Sequence, residues 1–195
     1  MIDDTMPEAK APTHRCPVWV GYLLASPLRR LFNSPDQILS PYVHPGMTVV
    51  DLGCAMGFFS IPLARMVGPQ GRVVCVDVEQ RMLASLRKRA VKAGVAARIE
   101  PRCCDEHSLG LDGLTGVDFA LAFAMVHEVP DARRLFTEVH ALLAPGAGLL
   151  VAEPRGHVEP RAFEATLAAA RAAGFEERDR PRIRSNHAAY LVRPA

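Results

Sequence analysis

One stretch of the sequence carries the main evidence for the fold: Val49-Val50-Asp51-Leu52-Gly53-Cys54-Ala55-Met56-Gly57-Phe58-Phe59. It opens with a short apolar run over residues 48–52, which is typical of a β-strand buried on both faces. The small residues at positions 53, 55 and 57 predict a loop whose backbone approaches a ligand closely. A helix is expected over residues 58–67, because Gly68-Pro69 then ends the helical pattern. Strand, glycine-rich turn and helix together predict a ligand site at the helix N-terminus, where N–H groups are free.

The alternation of strands and helices continues from this stretch to the C-terminus. Further strands are predicted over residues 72–77, 97–104, 117–124 and 148–152, and further helices over residues 79–93, 131–143 and 160–173. Residues 175–193 have room for two more strands without a helix between them, so the last strand is expected to be antiparallel. We therefore predict an α/β, Rossmann-like fold with a seven-stranded, mostly parallel sheet and helices on both faces.

The first 45 residues differ from the rest, because they hold seven of the 16 prolines. Residues 1–13 are expected to form a disordered lead, and residues 45–195 the main domain. Residues 14–44 carry many large apolar side chains, so they predict an N-terminal helical cap made of short helices broken at Pro27 and Pro35. Three aromatic residues of the cap are expected either to line a substrate pocket or to pack beneath the cap: Trp19, Tyr22 and Phe32.

Acidic residues stand at the ends of three successive predicted strands, where an open α/β sheet binds its ligands. Asp51 and Asp77 end the first two strands, and Asp105 follows the third. A carboxylate at position 77 can accept hydrogen bonds from both hydroxyls of a ribose, and one at position 105 can accept a bond from an adenine amino group. Asp77 is alternatively a helix cap, but caps alone hardly explain three acids at three strand ends.

These features together resemble the class I S-adenosylmethionine-dependent methyltransferases. The first motif of that family is an acidic residue followed by glycines at alternate positions, and this chain has Asp51-x-Gly53-x-Ala55-x-Gly57. The family's apolar fourth strand with its His-containing loop looks like residues 117–131, and its leucine-x-proline-glycine-glycine turn is similar to residues 142–146. The resemblance covers residues 46–193. It implies S-adenosylmethionine as methyl donor and a small molecule as methyl acceptor.

The resemblance also implies a set of donor-binding residues: Asp51, Gly53, Cys54, Gly57, Asp77, Val78, Asp105 and Phe123. Two positions depart from the family pattern, since Ala55 replaces the middle glycine of the first motif and Ala147 the second glycine of the later turn. If position 55 needs a positive φ, alanine there costs about 1 kcal/mol. A dinucleotide-binding dehydrogenase loop is the weaker alternative, because its third glycine would fall at position 58, which is Phe.

His127 and Glu128 are the candidate catalytic residues, because they follow the fourth strand, where the family places the substrate and the methyl group. A general base is needed only if the acceptor is protonated at the working pH. His127 is then the base, and Glu128 orients it or binds the amino group of the donor. Alternatively, His127 is structural and bonds to a neighbouring backbone group. Glu153 and His157 lie at the same sheet edge, where solvated loop polarity is the favoured interpretation of both.

Two groups of residues leave alternatives open. Cys103 and Cys104 are favoured as small buried hydrophobic residues. Alternatively they capture a thiol-binding metal or metalloid as the methyl acceptor, with Cys16 joining from the cap. Arginines alternate at positions 178, 180, 182 and 184, so in one strand they would share a face. That face is either a solvated edge or a site for an anionic substrate or RNA. A non-catalytic module that keeps the donor site is the alternative from another functional class.

Composition and charge narrow the classes of partner. The chain has 195 residues, 49% hydrophobic and 23% charged, as in an ordinary globular domain. Its 23 Lys and Arg against 21 Asp and Glu give a net charge of +2, so nucleic acid is not an expected partner. The longest apolar run, residues 119–126, is too short to cross a membrane, and five cysteines without a secretion signal predict a cytoplasmic protein. We expect a monomer or homodimer, with neither metal nor membrane.

Overall fold

Seven β-strands form one sheet in residues 34–195, the part of the chain that the structure, a computed structural model, describes. The strands are β1 (Thr48–Leu52), β2 (Arg72–Asp77), β3 (Ile99–Cys103), β4 (Val117–Phe123), β5 (Leu143–Pro154), β6 (Glu176–Asp179) and β7 (Asn186–Val192). Their order across the sheet is β3-β2-β1-β4-β5-β7-β6. The first five strands pair in parallel, and β7 runs antiparallel to both β5 and β6. The predicted mostly parallel sheet with an antiparallel last strand is therefore confirmed.

Within residues 34–195, five α-helices flank the sheet: α1 (Pro35–Leu39), α2 (Ser60–Met66), α3 (Gln80–Lys92), α4 (Ala132–Leu142) and α5 (Pro160–Ala172). The two acidic residues that precede α3 and α4 cap them, because Glu79 accepts a hydrogen bond from the amide of Arg81, and Asp131 one from the amide of Arg134. The third strand begins two residues later than predicted, since a short 3₁₀ helix occupies residues 96–98. No helix in the described range is long and apolar enough to cross a membrane.

Apolar layers cover the sheet on both faces. Helices α1, α2 and α3 pack on one face, and α4 and α5 on the other. The central strands supply both layers, because their side chains alternate between the two faces, as with Val73 and Val74, both 1% exposed or less. This double cover explains why the strands read as continuous apolar runs in the sequence, and it leaves the carboxyl edge of the sheet as the open surface.

Only the end of the predicted N-terminal cap lies in the described range. Helix α1 begins at Pro35, one of the two expected breaks, and its Leu39 is fully buried. Tyr42 stacks on Tyr190 of β7 with a centroid distance of 4.6 Å, which fixes this segment against the α1–α3 face. Several predictions fall on residues outside the described range. They are the disordered lead over residues 1–13, most of the 14–44 cap, and the roles considered for Cys16, Trp19, Tyr22 and Phe32.

Two predictions about the C-terminal third are wrong. Strand β5 starts at Leu143 rather than at residue 148, because the chain passes straight from α4 into an irregular strand that contains Pro145 and Gly146. The four alternating arginines do not share one strand face, since β6 ends at Asp179 and Pro181, which lacks an N–H group, follows shortly after. The positions after β6 instead form the connection to β7.

Candidate active site at the carboxyl edge of the sheet

The loop after β1 has an unusual backbone in which alternate residues have positive φ. The φ angles are +64° at Gly53, +46° at Ala55 and +82° at Gly57. Position 55 thus needs a conformation that costs alanine about 1 kcal/mol. At Gly53 a Cβ atom would also lie 2.8 Å from the Cβ of Met125, so glycine lets this loop touch the loop after β4. At the other departure from the family pattern no cost arises, because Ala147 does not have a positive φ.

Asp77, at the end of β2, holds this glycine loop in place. Its Oδ2 accepts a hydrogen bond of 2.8 Å from the amide of Ala55, and its Oδ1 accepts one of 2.8 Å from the amide of Glu79. Burial raises the pKa of Asp77 and outweighs the lowering by these two amide bonds. Asp77 does not cap α3, since Glu79 does. Each carboxyl oxygen keeps a second lone pair, so the group can still accept ribose hydroxyls.

Asp51, at the end of β1, is a buried acid beneath the loop. It is 2% exposed, and Ser60 at the start of α2 donates a hydrogen bond of 2.5 Å to its Oδ2. Burial raises the pKa of Asp51 to about 7, although the bond from Ser60 lowers it. Asp51 therefore ties the end of β1 to the start of α2 beneath the loop.

The remaining predicted donor-binding residues differ in their exposure. Val78, just beyond β2, is 53% exposed, whereas Phe123 is 7% exposed and packs on Phe59 with a centroid distance of 4.4 Å. Cys54 is buried, and its thiol donates a hydrogen bond of 3.7 Å to the carbonyl of Ala55, so it supports the loop from within. Asp105 is exposed, and its side chain accepts a hydrogen bond from the amide of His107. Of these four residues, Val78 and Asp105 are thus the accessible ones.

His127 lies in a short 3₁₀ helix after β4, and its side chain is paired with Glu153 at the end of β5. The Nδ1 of His127 hydrogen-bonds to Oε2 of Glu153, whose Oε1 accepts a bond of 2.7 Å from the amide of Val126. Glu153 is fully buried, so its interpretation as solvated loop polarity is wrong. The bond to Glu153 raises the pKa of His127, against an opposing effect of burial. Glu153 thus orients the imidazole, the role expected of Glu128.

Glu128 and His157 stand beside this pair without binding it. The Oε1 of Glu128 is 4.0 Å from Nε2 of His127, and the rings of His127 and His157 are 6.2 Å apart in an edge-on arrangement. Burial raises the pKa of Glu128, and the charge of Asp77 adds to the effect. The edge therefore has two adjoining parts: a glycine-loop half at the ends of β1, β2 and β3, and a histidine half at the ends of β4 and β5 and the start of β7.

The two adjacent cysteines lie in the glycine-loop half. Cys103 is exposed, rather than buried as expected, and its thiol lies 3.7 Å from the carbonyl of Val78. Burial and the nearby Asp77 raise the pKa of Cys104 to about 12, so its thiol stays protonated at neutral pH. All four cysteines of the described range are free, and that range holds no cluster of three His, Cys, Asp or Glu suited to a metal ion.

Comparisons with known proteins agree with this geometry. Residues 43–184 match a family model described as a methyltransferase domain. An arsenite methyltransferase of Halobacterium salinarum is 29% identical over 109 residues, 56% of this chain and 27% of that protein. A ubiquinone/menaquinone biosynthesis C-methyltransferase of Cellvibrio japonicus is 30% identical over 125 residues, 63% of this chain and 50% of that protein. The chain thus spans at most half the length of these two curated relatives.

The fold has solved counterparts. A methyltransferase dependent on S-adenosylmethionine from Aquifex aeolicus superposes with a TM-score of 0.81 at 23% identity, over 92% of this chain and 100% of that one. The donor fits the residues present, since Gly53 of the loop is exposed, Asp77 keeps free lone pairs, and Val78 offers an exposed apolar surface. With a family model that covers most of it, the chain belongs to the methyltransferase domain family, and it has the fold of a methyltransferase that depends on S-adenosylmethionine.

Proposed function

We propose that this methyltransferase acts on a small molecule whose accepting atom carries a proton, and that His127 removes that proton. The observation that supports this is the pairing of His127 with the fully buried Glu153. Because Glu153 accepts from Nδ1, the proton of neutral His127 resides on that nitrogen, and the lone pair of Nε2 is free. The bound donor supplies an electrophilic methyl group. His127 then makes the acceptor nucleophilic by taking its proton.

The charges of the described surface also support a small acceptor. Arg178 forms an ion pair of 2.9 Å with Glu176, and Arg180 is paired with both Glu164 and Glu177. Arg178 and Arg180 are therefore neutralised, so the β6 edge does not present the row of free positive charges that nucleic-acid backbones require. The thiol- or metalloid-directed alternative lacks support here, because Cys103 and Cys104 sit in the other half of the edge. The free thiols of the described range also fit the cytoplasm, which we propose as the compartment.

Turnover with methyl-labelled donor tests the proposal. The protein is incubated with the donor and the small-molecule fraction of a cell extract, and labelled products are identified by mass spectrometry. A labelled small molecule is expected. Labelled protein or nucleic acid, with no small product, would contradict the choice of acceptor, and donor binding without any turnover would favour the non-catalytic module.

The pH profile of kcat with the identified acceptor tests the base. Because the bond to Glu153 raises the pKa of His127, kcat should rise with pH through a value above about 6.5, the ordinary histidine value. Glu153→Gln removes the carboxylate, so it should lower that pKa and move the acid limb to lower pH. Glu128→Gln is the matched control, whose effect on the limb should be smaller because the carboxyl does not bond to His127. A limb that Glu153→Gln leaves in place contradicts the proposed pair.

A further inference from the structure

A cavity of about 220 Å³ opens beside the histidine half of the edge. It lies where β7 begins and the partner strand β6 has already ended, and it is closed by the first turns of α5 and by the connection over residues 180–185. It thus occupies the same edge of the sheet as His127, on the far side of β5. The proposed function by itself assigns no role to this cavity.

Two arginines give the cavity free positive charge. Arg182 forms no hydrogen bond or ion pair with any residue of the range 34–195, although it lines the cavity. The Nε of Arg155 donates a bond of 3.0 Å to the carbonyl of Asn186, and this bond fixes the guanidinium at the wall. The remaining guanidinium nitrogens of Arg155 are unpaired within the described residues, so a fork of donors is available to an anion.

The acidic side chain in the wall does not cancel this charge. Both carboxyl oxygens of Glu164 bind the guanidinium of Arg180, which also binds Glu177. Glu164 is thus paired with Arg180, and Glu177 is bound by Arg171 as well. The bond to Arg180 lowers the pKa of Glu164. The wall therefore keeps the charges of Arg155 and Arg182 in excess.

The rest of the wall is apolar and aromatic. Phe163 of α5 is buried, and the ring of His187 stacks on it with a centroid distance of 5.4 Å and an interplanar angle of 23°. Pro160, Pro181 and Ala188 complete the surface. A ligand that matches this wall has an anionic group next to a small flat or apolar body.

One residue of the cavity wall, His187, lies next to the residue that pairs with the proposed base. His187 on β7 is directly opposite Glu153 on β5, and such pairs project to the same face with Cβ atoms about 5 Å apart. Glu153 in turn holds His127. A ligand seated against His187 therefore reaches toward the imidazole that we propose as the base.

We propose that this cavity binds a carboxylate or phosphate group of the methyl acceptor, which makes the acceptor an anion with a small ring or apolar body. The inference rests on the proposed function, because it treats the ligand of the cavity as the substrate that His127 activates. Arg182 and Arg155 bind the anionic group, and the Phe163–His187 wall holds the body.

Binding of simple anions tests the cavity without knowledge of the acceptor. Benzoate, benzamide and inorganic phosphate are titrated into the protein, and affinity is followed by the shifts of the histidine ring signals in NMR spectra. Benzoate represents a carboxylate next to a ring, benzamide is its neutral counterpart, and phosphate represents the other anion. Benzoate or phosphate should bind and shift the signals of His187, whereas benzamide should not bind. The stronger of the two anions identifies the group.

Arg182→Gln is the variant, because it removes a side chain that has no partner to lose. It should weaken binding of the preferred anion by about tenfold, the loss of one bond to a charged group. Arg178→Gln removes the same charge from the exposed β6 edge, outside the cavity, and should leave the affinity unchanged. No binding by either anion, or an equal loss in both variants, overturns the inference.

The outcome is separable from that of the proposed function. Donor affinity is measured by calorimetry on the same samples, and turnover is measured with the labelled donor. Donor binding and turnover of a neutral acceptor, without anion binding, overturn only the cavity inference. Anion binding that does not inhibit turnover overturns the assignment of the anion to the acceptor and leaves the base unaffected.

Discussion

The two halves of the sheet edge are built in different ways. The glycine-loop half holds its shape through backbone groups, since Asp77 binds the amides of Ala55 and Glu79, and every participant lies within about one strand–helix–strand unit. The histidine half depends on pairing between side chains, because the ring of His127 meets the carboxylate of Glu153 over a similar separation of 26 residues, and His187 comes from the antiparallel β7. Backbone contacts suit the constant part of the reaction, whereas side chains can vary with the acceptor.

This difference predicts that substitutions in the two halves affect different measurements. Changes in the glycine-loop half should alter donor affinity, because that half offers the free lone pairs of the Asp77 carboxyl. Changes in the histidine half should alter turnover at saturating donor, because that half holds the proposed base.

His127→Ala should reduce kcat by about 10²–10⁴-fold, the usual contribution of a general base. Donor affinity should stay unchanged, because His127 does not hold the glycine loop. His157→Ala is the matched control, since that ring lies 6.2 Å away without a bond to Glu153. A variant that keeps its kcat would remove His127 from the chemistry. Loss of donor binding together with a lower melting temperature would instead make it structural.

Asp77→Asn should weaken donor affinity by about 10–100-fold, the range for a hydrogen bond to a charged group. The amide keeps one acceptor oxygen but cannot accept from both Ala55 and Glu79, so the free energy of unfolding should fall as well. Asp112→Asn removes an equal charge from an exposed loop and serves as the control. Calorimetry that shows unchanged affinity in folded protein would reject Asp77 as a donor contact, whatever its effect on stability.

Ala55→Gly should raise the free energy of unfolding by about 0.5–1 kcal/mol, because glycine relieves the positive φ at a smaller entropic cost. Ala97 is the control, since it is exposed and does not have a positive φ. Ala97→Gly should therefore lower the stability by about 0.5–1 kcal/mol. Urea unfolding measures both values. Equal losses in the two variants would show that the loop is not strained at position 55.

Sequence patterns were most informative where structure depends on neighbours along the chain. The order of strands and helices and the acids at the ends of β1 and β2 follow from apolar runs and turns. The predicted start of strand five was wrong, because Leu143 pairs with Val117 of the neighbouring strand β4, and a contact between strands leaves no local pattern in the sequence. The prediction that the arginines share one strand face was wrong for a related reason. The end of β6 is bulged and Pro181 follows it, so side chains no longer alternate between the two faces there.

The alternation of strands and helices, the methyltransferase family and the glycine-loop half follow from the sequence alone, because apolar runs, turn residues and the strict spacing of the first motif are visible in it. The partner of His127 is visible only in the folded chain. The sequence favoured Glu128, the adjacent residue, but successive residues point in different directions, and the side chain that faces the ring comes from β5. Burial of Glu153 and the cavity beside His187 likewise arise from which strands become neighbours, a property of sheet order that no local pattern encodes.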